Sequence, residues 1–270
     1  MMVCAAGRDG NAPRSAAGRA YNSGMTRTIR LLPSAAADGP TNMAADEALL
    51  ETASASGVAS LRFYTWSEPT LSLGYFQPAA VRNDVPGLDR LPWVRRSTGG
   101  AAIVHHHELT YALALPAGAE WASADSWILR VHLLMCAALA EVGVASHVVA
   151  CGEEKKVGDV LCFLHQTPGD LLVNGSKVAG SAQRKWKGAL LQHGSILLRR
   201  SAFAGVLPGI HDAAGRDLFT PESLAGVLTG RFATASGWRL EVGDWTDAER
   251  ARTRAIGAEK YANADWNGKR

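Results

Sequence analysis

A chain of 270 residues fits one large domain or two small ones. Its 28 lysines and arginines stand against 25 aspartates and glutamates, a net charge of +3, and 47% of its residues are hydrophobic. That balance excludes the electrostatic footprint of a nucleic-acid binder and favours a buried core over disorder. No run of about 18 apolar residues is present to cross a bilayer, so no membrane partner is expected. The start, MMVCAAGRDGNAPRSAAGR, carries arginines without the apolar stretch of an export signal. Cys4, Cys136, Cys151 and Cys162 are scattered and form no C-x-x-C pair. The expectation is a cytoplasmic protein with free thiols.

Residues 1–26 are rich in Gly, Ala, Arg and Ser and are expected to be a disordered tail; Met25 stands where ordered patterning begins. Asn42 is expected to cap a helix running to about Ala55, with Asp46 and Glu47 near its positive end. SLRFYTW (60–66) and TLSLGYF (70–76) have strand composition and are separated by a turn holding Pro69. Leu91 to Leu115 reads as strand, Gly turn, strand, strand. Apolar residues from Trp127 to Val142 recur every three or four positions, which predicts a helix over about 124–142 that Gly143 can end. A polar loop follows at 152–159. Then come two strands, DLLV and SKVAGSA, joined by Asn174-Gly175, a strong hairpin signal. ALLQHGSILL (189–198) is a further strand, and Thr220-Pro221 suits a helix start. Thr246 with Glu249 predicts a capping box for a last helix to about Tyr261. Strands and helices alternate without regular βαβ units, which points to an α+β fold.

Three segments are candidates for chemistry. In Arg95-Arg96-Ser97-Thr98-Gly99-Gly100, glycines let a backbone approach a ligand and arginines can hold a carboxylate or phosphate; a surface hairpin is the plainer alternative. His105 and His107 would share a face on a strand, but no further ligands at zinc-site spacing accompany them. Cys162 lies in the apolar run VLCFLH, where an inert thiol is the usual case. A reactive thiol needs a nearby cation, and Lys177 follows fifteen residues later, just past the Asn174-Gly175 turn. Spacing alone leaves both readings of Cys162 open.

Taken in order, NMAADEALL (42–50), RFYTW (62–66), LGYFQ (73–77), RRSTGG (95–100), KVAGSAQ (177–183), GALLQHGSILL (188–198) and KYANADWN (260–267) resemble the biotin/lipoate protein ligase superfamily. The resemblance covers residues 27–270, which it implies are one catalytic domain: a mixed, mainly antiparallel sheet flanked by helices. Three activities occur in that superfamily. They are ATP-dependent lipoate ligation, octanoyl transfer from acyl carrier protein through a cysteine thioester, and amidotransfer between lipoyl domains. A non-catalytic acyl or lipoyl-domain binder on the same fold is a fourth possibility. Ligases read H-D-x-G-N after the Gly-rich turn. Here His105-His106-His107-Glu108-Leu109 is similar to the octanoyltransferases of Gram-positive type, except that His106 stands where those have Asp. The KVAGSAQ stretch and a cysteine fifteen residues before its lysine are similar to the same group. The Leu161-Cys162-Phe163 context differs from the Tyr-Cys-Pro-Gly of the amidotransferases, and the chain ends before an accessory domain of the ligase kind.

The resemblance implies that Cys162 carries the octanoyl group and that Lys177 supports it electrostatically or relays a proton. It places Arg95, Gly99, Gly100 and His105 at the substrate cleft. Glycines such as Gly74, Gly99 and Gly180 would leave room for the acyl chain, whose roughly six methylenes bring about 5 kcal/mol gross on burial. The implied partners are octanoyl-acyl carrier protein and a lipoyl-domain protein such as the glycine cleavage H protein. Neither ATP nor a metal is expected.

Overall fold

In a computed structural model, residues 27–119, 125–158 and 160–270 are described. The predicted tail at 1–26 and the predicted helix start at 124 lie outside the described residues. In chain order the elements are β1 (Thr28–Leu31), β2 (Ala35–Ala37), α1 (Gly39–Ser56), β3 (Ala59–Trp66), β4 (Thr70–Leu73), β5 (Trp93–Arg95), β6 (Ile103–His105), β7 (Glu108–Leu115), α2 (Trp127–Glu141) and β8 (Ser146–Val148). They continue as β9 (Lys155–Lys156), β10 (His165–Gln166), β11 (Leu171–Val173), β12 (Ser176–Trp186), β13 (Ala189–Leu197), α3 (Ile210–Ala214), α4 (Pro221–Ser236), β14 (Arg239–Val242), α5 (Asp247–Ile256) and α6 (Ala264–Gly268).

The main sheet has the order β14-β1-β3-β7-β13-β12-β11-β8, with β2 pairing the end of β3. β1 pairs in parallel with β14 and β3, and the ladder from β3 through β8 is antiparallel. The expected mixed, mainly antiparallel α+β architecture is therefore what forms. Both faces are covered, and strand periodicity shows why. In β7, Leu109, Tyr111, Leu113 and Leu115 enter the core under α2 and α4. The alternate Ala112 and Ala114 enter the core against α1. Small residues there match Ala44 and Ala48 of the helix and let it lie close to the sheet. A three-stranded sheet, β5-β4-β6, and a short β9-β10 pair complete the fold beside the main sheet. Among the described residues no helix is long and apolar enough to cross a membrane.

Several elements depart from their sequence-level forms. Asp38, not Asn42, caps α1: its carboxylate accepts from the Thr41 amide at 2.8 Å, and Pro40 occupies the first turn. Asn42 is buried one turn further on, and its Nδ2 donates to the carbonyls of Ala37 (3.0 Å) and Thr65 (3.1 Å). Asp46 and Glu47 consequently lie beyond the helix's first turn. The second predicted strand stops at Leu73 and joins a different sheet from the first. The polar loop at 152–159 contains β9, which pairs with β10. The Thr246–Glu249 capping box forms, but α5 ends at Ile256 and a π turn carries the chain to Tyr261.

Asn42 is the side chain that ties α1 to the ends of β2 and β3. Asn42→Ala leaves two carbonyls without their donor, and the expected cost is about 1–3 kcal/mol in urea denaturation. An unchanged midpoint would show that those carbonyls find other partners.

Candidate active site

The hairpin places the first functional side chain. Asn174 and Gly175 have φ of 47° and 75°, the paired positive values of a two-residue turn that matches strand twist. β12 then returns beside β11, with Lys177 opposite Leu172. The Lys177 side chain is buried, and its ammonium meets Asp170 Oδ2 at 2.7 Å and the His165 carbonyl at 3.0 Å. Its remaining neighbours are the Cys162 carbonyl at 3.3 Å and the Cys162 sulfur at 3.7 Å. A Cβ at Gly180 would sit 2.8 Å from Lys177 Cε, so glycine there leaves the lysine its channel.

Cys162 opens a short 3-10 turn, Cys162–Leu164, and is half-buried. Its amide donates to the Ala102 carbonyl at 2.8 Å, and the Ala102 amide donates to Val160 at 2.9 Å. The cysteine segment is thereby clipped to the chain that leaves the Gly99-Gly100 turn. Cys162, Lys177, Gly99, Gly100, His105 and Gly180 all line one cavity of about 170 Å³.

Arg95 does not line it, contrary to expectation. Its buried guanidinium donates to the carbonyls of Asn267 (2.8 Å), Gly74 (3.0 Å) and Gln77 (2.6 Å). Arg96, the first residue past the end of β5, lines the cavity instead. Its Nη1 donates to the Ser72 carbonyl and hydroxyl, and its Nη2 to the carbonyls of Gly99 and Ala101. Burial lowers the pKa of this guanidinium to about 10.

Two carboxylate–histidine–hydroxyl relays lead to the glycine turn, one directly through Thr98 and one through Ser72 and Arg96. Glu108 Oε1 lies 2.7 Å from His105 Nδ1, and His105 Nε2 lies 2.7 Å from Ser72 Oγ, the hydroxyl that also accepts from Arg96. Trp66 stacks on the His105 ring at 3.8 Å. In the second relay, Asp46 Oδ2 holds His193 Nδ1 at 2.8 Å, and His193 Nε2 meets Thr98 Oγ1 at 2.7 Å. In both, the carboxylate can only accept, so Nδ1 donates to it, and in a neutral imidazole Nε2 is then left to accept from the hydroxyl. Asp46 is also bound by Arg62 at 2.7 Å and by the Tyr64 hydroxyl at 3.0 Å. Burial pushes its carboxyl up, but Arg62 and His193 outweigh that and hold it below the usual range. Burial depresses His105, with Glu108 acting against it, and also depresses His132, whose Nε2 meets Ser181 Oγ at 2.8 Å beside the cavity.

Sequence reading chose Arg95 over Arg96 for the cleft and missed Asp170, the Asp46–His193 pair and Ser181. Asp170 precedes the hairpin and Ser181 lies in the quoted KVAGSAQ motif, but nothing in their spacing marks a contact. His105 and His107 do not share a strand face, because β6 ends at His105; His107 is exposed and stacks on His106 at 3.6 Å, and His106 bonds Ser201. Cys136 and Cys162 are free thiols, as expected. Burial raises the Cys136 thiol, as suits an inert core cysteine.

One cavity thus joins a cysteine, a buried lysine and a Gly-Gly turn on this mixed sheet. The family model of the lipoyl protein ligase A/B catalytic domain matches residues 38–213, and the chain belongs to that family. The octanoyltransferase LipM of Brevibacillus brevis is 31% identical over 260 residues, 84% of this chain and 93% of that one. That of Moorella thermoacetica is 33% identical over 270 residues, 88% of this chain and 97% of that one. Among solved structures, lipoate-protein ligase A bound with ATP shares the fold with a TM-score of 0.69 at 18% identity, covering 90% of this chain and 98% of that one. A bi-partite lipoate protein ligase of Thermoplasma acidophilum, described with its E2 lipoyl domain, has a TM-score of 0.63 at 19% identity, covering 90% and 96%.

Two stability predictions follow from the buried charges. Asp46→Asn strands Arg62 without its carboxylate, and a loss of about 3–5 kcal/mol is expected in chemical denaturation. His105 and His132 titrate below the ordinary imidazole value in the folded state. Below about pH 6.5 the unfolded chain therefore binds protons that the folded chain does not, and stability should fall as pH drops through that point. A flat unfolding free energy between about pH 7 and 5.5 would contradict this assignment.

Proposed function

We propose that this octanoyltransferase of lipoate biosynthesis takes octanoyl from octanoyl-acyl carrier protein onto the Cys162 sulfur. It then delivers the group to the lysine amine of a lipoyl-domain protein, such as the glycine cleavage H protein, without ATP or a metal ion. The observation that carries the reading is the Lys177 ammonium 3.7 Å from the Cys162 sulfur on the wall of the cavity.

In the first step the Cys162 thiolate attacks the thioester carbonyl, the carrier's C–S bond breaks, and the carrier thiol leaves with a proton. One thioester replaces another, so no external energy is needed. In the second step the acceptor amine attacks the Cys162 thioester, an amide forms, the enzyme C–S bond breaks, and the nitrogen loses a proton. The amide is more stable than the thioester, which drives the sequence forward, and each step is easier than direct transfer. Lys177, ion-paired with Asp170, sets a positive charge beside the sulfur that must be negative to attack.

Nucleotide independence is supported by the arginines. All four Nη hydrogens of Arg96 are directed at Ser72, Gly99 and Ala101, so its fork has none to offer a phosphate. Arg95 is turned away into the protein. A thiolate mechanism also requires a reduced Cys162, which accords with a cytoplasmic setting.

Wild type incubated with octanoyl-carrier protein alone should gain one octanoyl mass that hydroxylamine removes. Cys162→Ala should gain none, and Cys136→Ala should load normally. Lys177→Ala should load at least about 10-fold more slowly at neutral pH and recover part of the rate at higher pH, where thiolate forms unaided. Omitting ATP and magnesium should leave the overall rate unchanged. Efficient modification of the acceptor by free octanoate plus ATP would replace this reading with a ligase.

A further inference from the structure

An amine that attacks a thioester must give up a proton, and Lys177 is not placed to take it. Its three ammonium hydrogens have acceptors in Asp170 Oδ2 at 2.7 Å and the carbonyls of His165 at 3.0 Å and Cys162 at 3.3 Å. A lysine held in that charged form has no lone pair. Among the described residues three histidines line the cavity, His105, His165 and His193. On His105 and His193 both ring nitrogens are engaged, Nδ1 with Glu108 or Asp46 and Nε2 with the hydroxyl of Ser72 or Thr98. Asp170, on the same wall, accepts from the Thr167 amide and hydroxyl as well as from Lys177.

His165 differs. It is half-buried and lies three residues after Cys162, where the cysteine turn runs into β10. Its Nε2 meets the Gly158 carbonyl, an oxygen that can only accept, so Nε2 carries the ring hydrogen. In the neutral ring Nδ1 is then a bare lone pair. Nδ1 has no hydrogen-bond partner among the described residues, and it is not sealed from solvent. The segment that carries the ring is held on both sides: the Val157 amide donates to the Leu164 carbonyl at 3.1 Å, and Lys177 holds the carbonyl of His165 itself. One residue thus braces the cation beside the sulfur with its backbone and presents a free base on the same wall with its ring.

We propose that His165 is the base of the transfer step, taking at Nδ1 the proton that the acceptor lysine loses. This rests on the Cys162 thioester described above. The neutral acceptor nitrogen forms its bond to the octanoyl carbonyl carbon, and a proton passes from that nitrogen to His165 Nδ1. The carbon–sulfur bond breaks, and its electron pair stays on the Cys162 sulfur beside the Lys177 ammonium. The His165 imidazolium then returns the proton to water. Lys177 stays protonated throughout, so the cation serves the sulfur and the imidazole serves the nitrogen.

Timing the two half-reactions separately tests this. Full-length wild type, His165→Ala and His165→Gln are loaded with octanoyl-acyl carrier protein, freed of donor and mixed with the apo form of the glycine cleavage H protein. Transfer at neutral pH should slow on the order of 100-fold in both variants. That loss should exceed any loss in loading by at least about 10-fold. Added imidazole should speed transfer by His165→Ala at least about 10-fold, with less effect on His165→Gln, whose side chain fills the space of the ring, and on wild type. Unimpaired transfer by the variants overturns the proposal. An equal loss in both half-reactions also overturns it, because the ring would then serve only to hold the loop through Gly158. So does a transfer defect that imidazole leaves untouched in His165→Ala. A wild type that never loads removes the cysteine thioester and the step assigned to His165 with it, whereas a wild type that loads and transfers no faster than the variants removes His165 alone.

Discussion

An ammonium group inside a protein needs compensating charge and acceptors, and Lys177 is where this fold meets that demand. Asp170 supplies the charge, and the carbonyls of His165 and Cys162 supply acceptors. Those partners come from the segment between β9 and β11, so pairing the lysine also fixes the cysteine loop. The sulfur arrives beside a cation as a consequence of satisfying that cation. Gly180 leaves the lysine the space it occupies, and the tight hairpin brings it there.

The opposite wall is held by a different arrangement of the same chemistry. Glu108 and Asp46 each orient a histidine, and each histidine takes the hydrogen of a hydroxyl that leads to the turn at 96–101. Asp46 sits on α1, Glu108 and His105 at the β6-β7 junction, and His193 on β13. The glycine turn is consequently positioned by three elements far apart in the chain, with buried polar groups that are costly to disturb. The clip between Cys162 and Ala102 joins this wall to the first.

Arg95 and Arg96 show how one residue's offset divides two tasks. Both are buried and both donate to several backbone carbonyls. Arg96 shapes the cavity side of the glycine turn. Arg95 fastens the Gly74–Gln77 turn and the last helix together.

Much of this protein was legible from the order of its residues. The hydrophobic periodicities of α2 and the strands, the Asn174-Gly175 turn, the Thr220-Pro221 start and the Thr246–Glu249 box are local signals, and local chemistry decides them. The family motifs singled out Cys162, Lys177 and the glycine turn as candidates, and the structure brings them to one cavity. The tertiary structure alone decided which arginine faces the cavity, that Asn42 serves as a buried tie rather than a cap, and that Asp170, Asp46 and His193 belong to the site. Those outcomes depend on which neighbours the folded strands and turns meet, and on buried polar groups finding partners up to 172 residues away. Contacts of that range leave no periodic trace in sequence, since the free energy that selects them exists only once the sheet has closed.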